Sequence, residues 1–313
     1  MSIDIVVMGG WPAMEAMLAE KFTLHRAYQA PDFEAFLSQV APIARAIVTN
    51  PTCRRLTGEI MDMLPNAKII HGAGVGVDNI DLEAARARGI IVTYGQGASA
   101  LDVAEIALGM MIDLARKMGT NERYCRAGKW VSQGRAPFNN RLTGRKLGLV
   151  GMGMIGQEVA RLAAPLRMET SYYTRHARPN LPYRHEPDLV KLARDVDILI
   201  VSLPGGAETH HMVNRAVIEA LGPKGILISV GRGSAIDEPE MVRALQDGRL
   251  GQAGIDVYEN EPHVPEALFT LENVALQPHM AGATMEALHR SAEIIVENLE
   301  AHFAGLPVPN PVG

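Results

Sequence analysis

In the middle of the chain, Gly151, Gly153 and Gly156 stand in the spacing GxGxxG, directly after the apolar run KLGLV and directly before the amphipathic stretch QEVARLAAPL. In that setting a strand ends, the backbone turns through positions open to glycine, and a helix begins, all within one βαβ unit. The first glycine permits the tight turn and the second lets backbone approach a pyrophosphate. The third allows close helix packing, and the helix N-terminus attracts the anion. Away from a strand and a helix the spacing would be weak, and a glycine-rich structural turn is the alternative. Here it predicts a dinucleotide site.

The flanking sequence agrees with an α/β fold. In the first hundred residues IDIVVMG, MEAMLAEKF, ARAIVTN, AKIIHGAG, LEAARARG and IIVTYG alternate β-rich runs with helical stretches, the pattern of a parallel sheet covered by helices. A long helix is expected from Ser99 to Met118, followed by a looser polar stretch from Gly119 to Arg145 that holds Trp130, Pro137 and Phe138. Further strands are expected at LGLVG, ETSYYT, VDILIVSLP, GILISVG, QAGIDVY and NVALQ, then a closing helix from about Thr284 to Phe303 and a Pro-rich tail, LPVPNPVG, with no element of its own. A length of 313 residues suits two domains at roughly 100 to 200 residues each.

Charge and composition exclude several function classes. The balance of 30 Lys plus Arg against 35 Asp plus Glu, net −5, lacks the basic excess of a nucleic-acid binder. No apolar run approaches the roughly 18 residues of a membrane span. The N-terminus MSIDIVVMGG has no basic region and reads as a buried first strand, so a cytoplasmic protein is expected. Cys53 and Cys125 belong to no CxxC pair, and no disulfide framework or zinc knuckle is expected. His210 and His211 read as surface or cofactor-adjacent groups without partners at metal-ligand spacing.

Which dinucleotide binds depends on the end of the next strand, where an NAD site usually presents Asp or Glu about 20 residues on. Here ETSYYT leads into Thr174, Arg175, His176, Ala177 and Arg178, with no carboxylate. Arg175 can make bidentate hydrogen bonds to a 2′-phosphate and Thr174 can donate one, so NADPH is expected, with NADH at lower preference. A solvated basic loop is the alternative.

Ligands of open α/β sheets gather at the carboxyl ends of the strands. GILISVG runs into Arg232, AGIDVY carries Asp256 and leads to Glu261, and NVALQ runs into Pro278 and His279. Reduction of a 2-oxo acid by a nicotinamide needs a cation to hold the carboxylate and polarise the carbonyl, which suits Arg232. It also needs an acid to protonate the developing alkoxide, which suits His279 with Glu261 beside it.

These motifs resemble the D-isomer-specific 2-hydroxyacid dehydrogenases over nearly the whole chain: GVGVDNID near Asp78, DVAE near Glu105, GMGMIG, SLPGGAETHHMVN, SVGRGSAIDE, GIDVYENEP and PHMAGAT. The resemblance implies Arg232, Glu261 and His279 as the catalytic set, Asp256 near the nicotinamide, and Val75 and Gly76 in a loop whose amides hold the substrate carboxylate. It implies a flavodoxin-like substrate domain at 1–98 and 284–313, and a Rossmann dinucleotide-binding domain at 99–283 whose arm at about 119–145 grips a second subunit in a homodimer. Within the glyoxylate and hydroxypyruvate reductase branch a Trp matching Trp130 reaches the partner's substrate pocket, a role weighed equally against that of an interface anchor.

The cofactor is thus expected against Gly151, Gly153, Met154, Ile155, Gly156, Thr174, Arg175, His176, Leu203, Pro204, Thr209, Val230, Gly231, Arg232, Asp256 and His279. The substrate is expected against Val75, Gly76, Trp130, Arg232 and His279, with no metal. Three departures from the resembled pattern stand out: Met154 replaces an Arg common in the glycine loop, and Ser229 and Gly231 replace the commoner Asn and Ala ahead of Arg232. The expected activity is NADPH-dependent reduction of glyoxylate and hydroxypyruvate. The alternatives are reduction of bulkier aryl 2-oxo acids such as phenylpyruvate and hydroxyphenylpyruvate, and a non-catalytic module like the NAD(H)-binding transcriptional corepressors.

Overall fold

The computed structural model describes residues 3–9, 11–51 and 53–312. Met1, Ser2 and Gly10 of the expected first strand and its glycine turn lie outside the described residues, as does Gly313 of the tail. The chain forms two compact units, Met1–Ser99 with Ala283–Gly313, and Ala100–Gly282.

The first unit holds five parallel strands, β1 (Ile3–Val7), β2 (Phe22–Arg26), β3 (Ala46–Thr49), β4 (Ile69–Gly72) and β5 (Ile91–Tyr94). They lie in the order β2-β1-β3-β4-β5, the flavodoxin-like winding. β3 and β4 are buried along their whole length, and their near-continuous apolar sequences reflect cover on both faces. One face is closed by helix Met285–Phe303, whose Ala292, Ile295 and Leu299 pack with Ile5, Val7, Val48 and Ile69. That helix starts at Thr284, whose hydroxyl accepts the Ala287 amide at 3.0 Å.

The second unit is a seven-stranded parallel sheet of β6 (Lys146–Val150), β7 (Glu169–Tyr173), β8 (Arg184–His185), β9 (Ile198–Val201), β10 (Ile226–Ser229), β11 (Gln252–Ile255) and β12 (Val274–Leu276). Its order, β12-β11-β10-β9-β6-β7-β8, is the Rossmann winding with one added strand. Helices Ala100–Arg116 and Met154–Ala163 cover one face together with Leu147, Leu149, Ile198 and Ile228. Helices Leu189–Asp195, Arg215–Leu221 and Glu238–Asp247 cover the other.

The structure departs from the sequence-based expectation at several places. FTLHR is strand β2, an edge strand whose polar residues hide its character. The long helix stops at Arg116, because Lys117 adopts a left-handed φ of 51°. The polar stretch after it contains two further helices, Met118–Arg126 and Lys129–Gln133, neither with a buried residue. The Pro-rich tail pairs with the β5 edge: Pro311 bridges Thr93, and the Val312 amide donates to the Val92 carbonyl at 2.8 Å.

Candidate active site

Strand register determines where the polar residues of the second unit emerge. Val150 pairs with Val201, Val201 with Ser229, Ser229 with Ile255 and Ile255 with Leu276, so β6, β9, β10, β11 and β12 end at one level. The next residues, Gly151, Ser202, Val230, Asp256 and Gln277, therefore begin their loops side by side. Chain order reverses between β6 and β9, which makes the Gly151 loop the switch point of the sheet.

The glycine loop is shaped for close approach. Gly151 has φ of 97°, a left-handed region that favours glycine, and a Cβ there would lie 3.2 Å from the Ser202 carbonyl. A Cβ on Gly156 would come within 2.4 Å of the Gly151 carbonyl oxygen, which forces glycine where the helix crosses the loop. A Cβ on Gly153 would meet nothing within 4 Å, so the loop opens to space at the middle glycine. Gly153 caps helix Met154–Ala163 without a side-chain bond, which leaves the first turn's amides directed at that space. This geometry fits a pyrophosphate held by backbone. Met154 and Ile155 form the helix's first turn.

Beyond β7 the loop is pinned from beneath by Tyr172, whose hydroxyl accepts the Arg178 amide at 2.8 Å. The Thr174 hydroxyl donates to the His176 carbonyl at 2.7 Å, so any phosphate bond from Thr174 competes with that contact. Arg175 is exposed and pairs with Glu208, a residue of the loop after β9. Leu203 and Pro204 open that loop, and the Thr209 hydroxyl closes it on the Pro204 carbonyl at 2.8 Å.

On the other flank Val230 and Gly231 are buried behind Arg232, whose Nη1 donates to the Gly231 carbonyl at 3.1 Å. A Cβ on Gly231 would lie 2.4 Å from the Leu203 carbonyl oxygen, so glycine at this departure lets the two loops touch. Ser229 is buried, and its hydroxyl has no hydrogen-bond partner among the described residues.

His279 Nδ1 lies 2.7 Å from Glu261 Oε2, while Glu261 Oε1 accepts the Tyr258 amide at 3.0 Å. An ionised carboxylate only accepts, so Nδ1 carries the proton of that bond and Nε2 is left as the working nitrogen. The His279 side chain is 45% exposed, available to a ligand. Its φ of 54° is rare for a residue with a side chain and must be held by its surroundings. Asp256 does so: its carbonyl accepts the His279 amide at 2.8 Å, and its buried carboxylate accepts the amides of Met280 and Ala281 at 2.8 and 3.2 Å. Burial pushes the Asp256 carboxyl above the usual carboxylate range, and the two amides oppose that shift.

In the first unit, Val75 and Gly76 lie in the irregular loop after β4, with Val75 exposed. Trp130 belongs to helix Lys129–Gln133 and is 62% exposed, near Val131 at 96%. Sequence reasoning missed Tyr258, which positions Glu261, and missed both Glu208 and Glu259. It also left His211 without a partner, whereas His211 Nε2 lies 2.7 Å from Glu259 Oε1. These contacts join residues 33 and 48 positions apart and leave no local signal. Only the PGGAETHH and DVYENEP motifs that contain them hinted at a role.

A Rossmann sheet with an open glycine loop at its switch point, and a carboxylate-bound histidine on the same rim, defines a nicotinamide-dependent oxidoreductase. Residues 108–281 match the model of the D-isomer specific 2-hydroxyacid dehydrogenase NAD binding domain. The chain is 40% identical to glyoxylate/hydroxypyruvate reductase A of Arabidopsis thaliana over 96% of this chain and 95% of that protein. It is 41% identical to hydroxyphenylpyruvate reductase of Plectranthus scutellarioides, over the same shares. The crystal structure of an NADPH-dependent glyoxylate/hydroxypyruvate reductase from Sinorhizobium meliloti, in complex with NADP and malonate, superposes with a TM-score of 0.89. That protein shares 36% identity, and the match covers 100% of this chain and 97% of that one. The chain belongs to the D-isomer specific 2-hydroxyacid dehydrogenase family and is an NAD(P)-dependent oxidoreductase. No helix among the described residues is long and apolar enough to cross a membrane.

Proposed function

We propose that the protein is a cytoplasmic, homodimeric reductase that uses NADPH, and NADH less well, to convert glyoxylate and hydroxypyruvate to their 2-hydroxy acids. The observation that carries this reading is the His279–Glu261 pair at 2.7 Å on the in-register rim that also carries Arg232 and the glycine loop. The Arabidopsis relative and the NADP-bound Sinorhizobium structure support both substrate class and cofactor.

The bound nicotinamide supplies the hydride. Gly153, Met154, Ile155 and Gly156 would hold the pyrophosphate through backbone amides, while Gly151, whose own amide donates to the Tyr173 carbonyl, shapes the turn, and Arg175 with Thr174 and His176 would take the ribose 2′-phosphate. Leu203, Pro204, Thr209, Val230 and Gly231 line the cofactor, and Asp256 keeps the chain beside it in place. Arg232 binds the substrate carboxylate and polarises the 2-oxo group. His279 gives the proton at Nε2 to the developing alkoxide while Glu261 holds Nδ1 and balances the imidazolium charge. In this reading residues 1–98 and 284–313 form the substrate domain and 99–283 the dinucleotide domain. The arm at about 119–145 meets a second copy through Trp130, Val131 and the fully exposed Phe138. The same dimer would place Trp130 at the partner's substrate pocket.

Initial-rate oxidation of NADPH and NADH with glyoxylate, hydroxypyruvate, pyruvate and phenylpyruvate tests the proposal. Fast NADPH turnover on the two small polar acids is expected, and silence on all four would refute it. A preference for phenylpyruvate would favour the second reading, an aryl 2-oxo acid reductase, which the Plectranthus relative supports.

A further inference from the structure

His210 and His211, in the loop after β9, lie beside Glu259 of the loop after β11. Their rings stack with centroids 3.9 Å apart and planes 21° from parallel, and His211 Nε2 faces Glu259 Oε1 at 2.7 Å. One ligand atom from each of His210, His211 and Glu259 lies within 4.8 Å of the other two. Two imidazole nitrogens and a carboxylate oxygen make the donor set of a borderline divalent ion. We propose that His210, His211 and Glu259 form a three-ligand site for a divalent transition ion of the zinc type, and that its occupation slows the reductase.

Backbone contacts hold two of the ligands in place. His211 has a left-handed φ of 48°, and its amide donates to the Ser234 carbonyl at 2.8 Å. Glu259 is fixed by its own amide, which donates to the buried Glu238 carboxylate at 3.2 Å. Ligands about 2.0–2.1 Å from a tetrahedral ion stand roughly 3.3 Å apart, so the His211–Glu259 contact need widen only by a fraction of an ångström. His210 is exposed and turns in by side-chain rotation, and water takes the fourth position.

Coupling to turnover follows from the neighbours, and this half of the inference rests on the reductase reading. Ser234 lies two residues after Arg232, and Glu259 lies two residues before Glu261. The two loops have no slack, because a Cβ on Gly233 would lie 2.0 Å from the Tyr258 carbonyl carbon. Spreading His211 from Glu259 therefore moves the segments that carry both Arg232 and the partner of His279.

The test is titration of the full-length protein with Co²⁺, followed by visible absorption, and with Zn²⁺, followed by calorimetry, in a buffer that does not chelate. The wild type should take up one equivalent with a tetrahedral cobalt spectrum, and His210→Ala and Glu259→Gln should each bind about tenfold or more weakly. Zn²⁺ should slow the wild type, whereas His210→Ala should keep its metal-free rate when the ion is added. No uptake, or equal affinity in wild type and both variants, overturns the site. Uptake that depends on both residues but leaves wild-type turnover unchanged overturns the coupling. A protein that binds the ion as stated and reduces no 2-oxo acid retains the site and loses only the reductase reading.

Discussion

His71 and His279 both lie near the carboxyl end of a parallel sheet, one in β4 of the first unit and the other just after β12 of the second. His71 is fully buried, bonded through Nδ1 to Thr93 at 2.8 Å, and its Nε2 has no hydrogen-bond partner among the described residues. Burial pulls its pKa down to about 3, so that it stays neutral. His279 is nearly half exposed and bound to a carboxylate. One ring has been given up to packing, and the other is placed where it can exchange a proton with a ligand. Two sheets of similar winding thus use the same residue type in opposite ways, and the surroundings rather than the fold decide which.

Four substitutions test that contrast, in order of decreasing effect. His279→Ala should lower kcat by about 10²–10⁴-fold while NADPH binding and the unfolding midpoint survive, as measured by stopped-flow kinetics, cofactor fluorescence and urea titration. Turnover close to wild type would remove His279 as the acid. Arg175→Ala should weaken NADPH about tenfold or more and spare NADH, because hydrogen bonds to charged groups contribute about 1.5–3 kcal/mol. Equal losses for both cofactors would contradict the 2′-phosphate role.

His71→Gln should act on stability and leave kcat alone. The unfolded chain takes up this proton as pH falls below 6.5, while the folded chain refuses it until about 3. The wild type therefore has the full contribution above 6.5 and loses it as pH drops, by up to about 1.4 kcal/mol per pH unit. Urea midpoints measured from pH 7 to pH 4 should fall more steeply for wild type than for the variant, and parallel curves would count against this account. The smallest effect is expected from Glu208→Gln, which removes the exposed partner of Arg175. Such pairs contribute about 0–1 kcal/mol, so NADPH should bind at most about fivefold tighter in a cofactor titration. Weaker NADPH binding would mean that Glu208 orients Arg175 instead of competing for it.

Much of the second unit was legible because the glycine loop, Arg232 and His279 each follow closely on a short apolar run that reads as a strand. Leu147, Leu149 and Val150 announce the glycine loop, Ile226 to Ile228 announce Arg232, and Val274 to Leu276 announce His279. Strands β2 and β8 escaped notice because FTLHR and the two-residue RH carry polar side chains at or near sheet edges. The left-handed backbone of His279 and its brace by Asp256 were also invisible, since a φ value is imposed by tertiary contacts and not by the residue itself. Long-range pairs such as His211 with Glu259 have no periodicity to betray them.

The place of helix Met285–Phe303 in the core of the first unit has a consequence for biosynthesis. A ribosome making this chain delivers every strand of the second unit before it delivers the helix that covers β1, β3 and β4. Met14 and Leu18 of helix Pro12–Ala19 can cover part of Ile5, Val7, Val48 and Ile69 early, but the first unit waits for the rest of that cover until helix Met285–Phe303 emerges. Nascent chains stalled near Gly282 should therefore resist protease across the second unit while the first is still cut, and the first unit is where a cellular chaperone would find its apolar target.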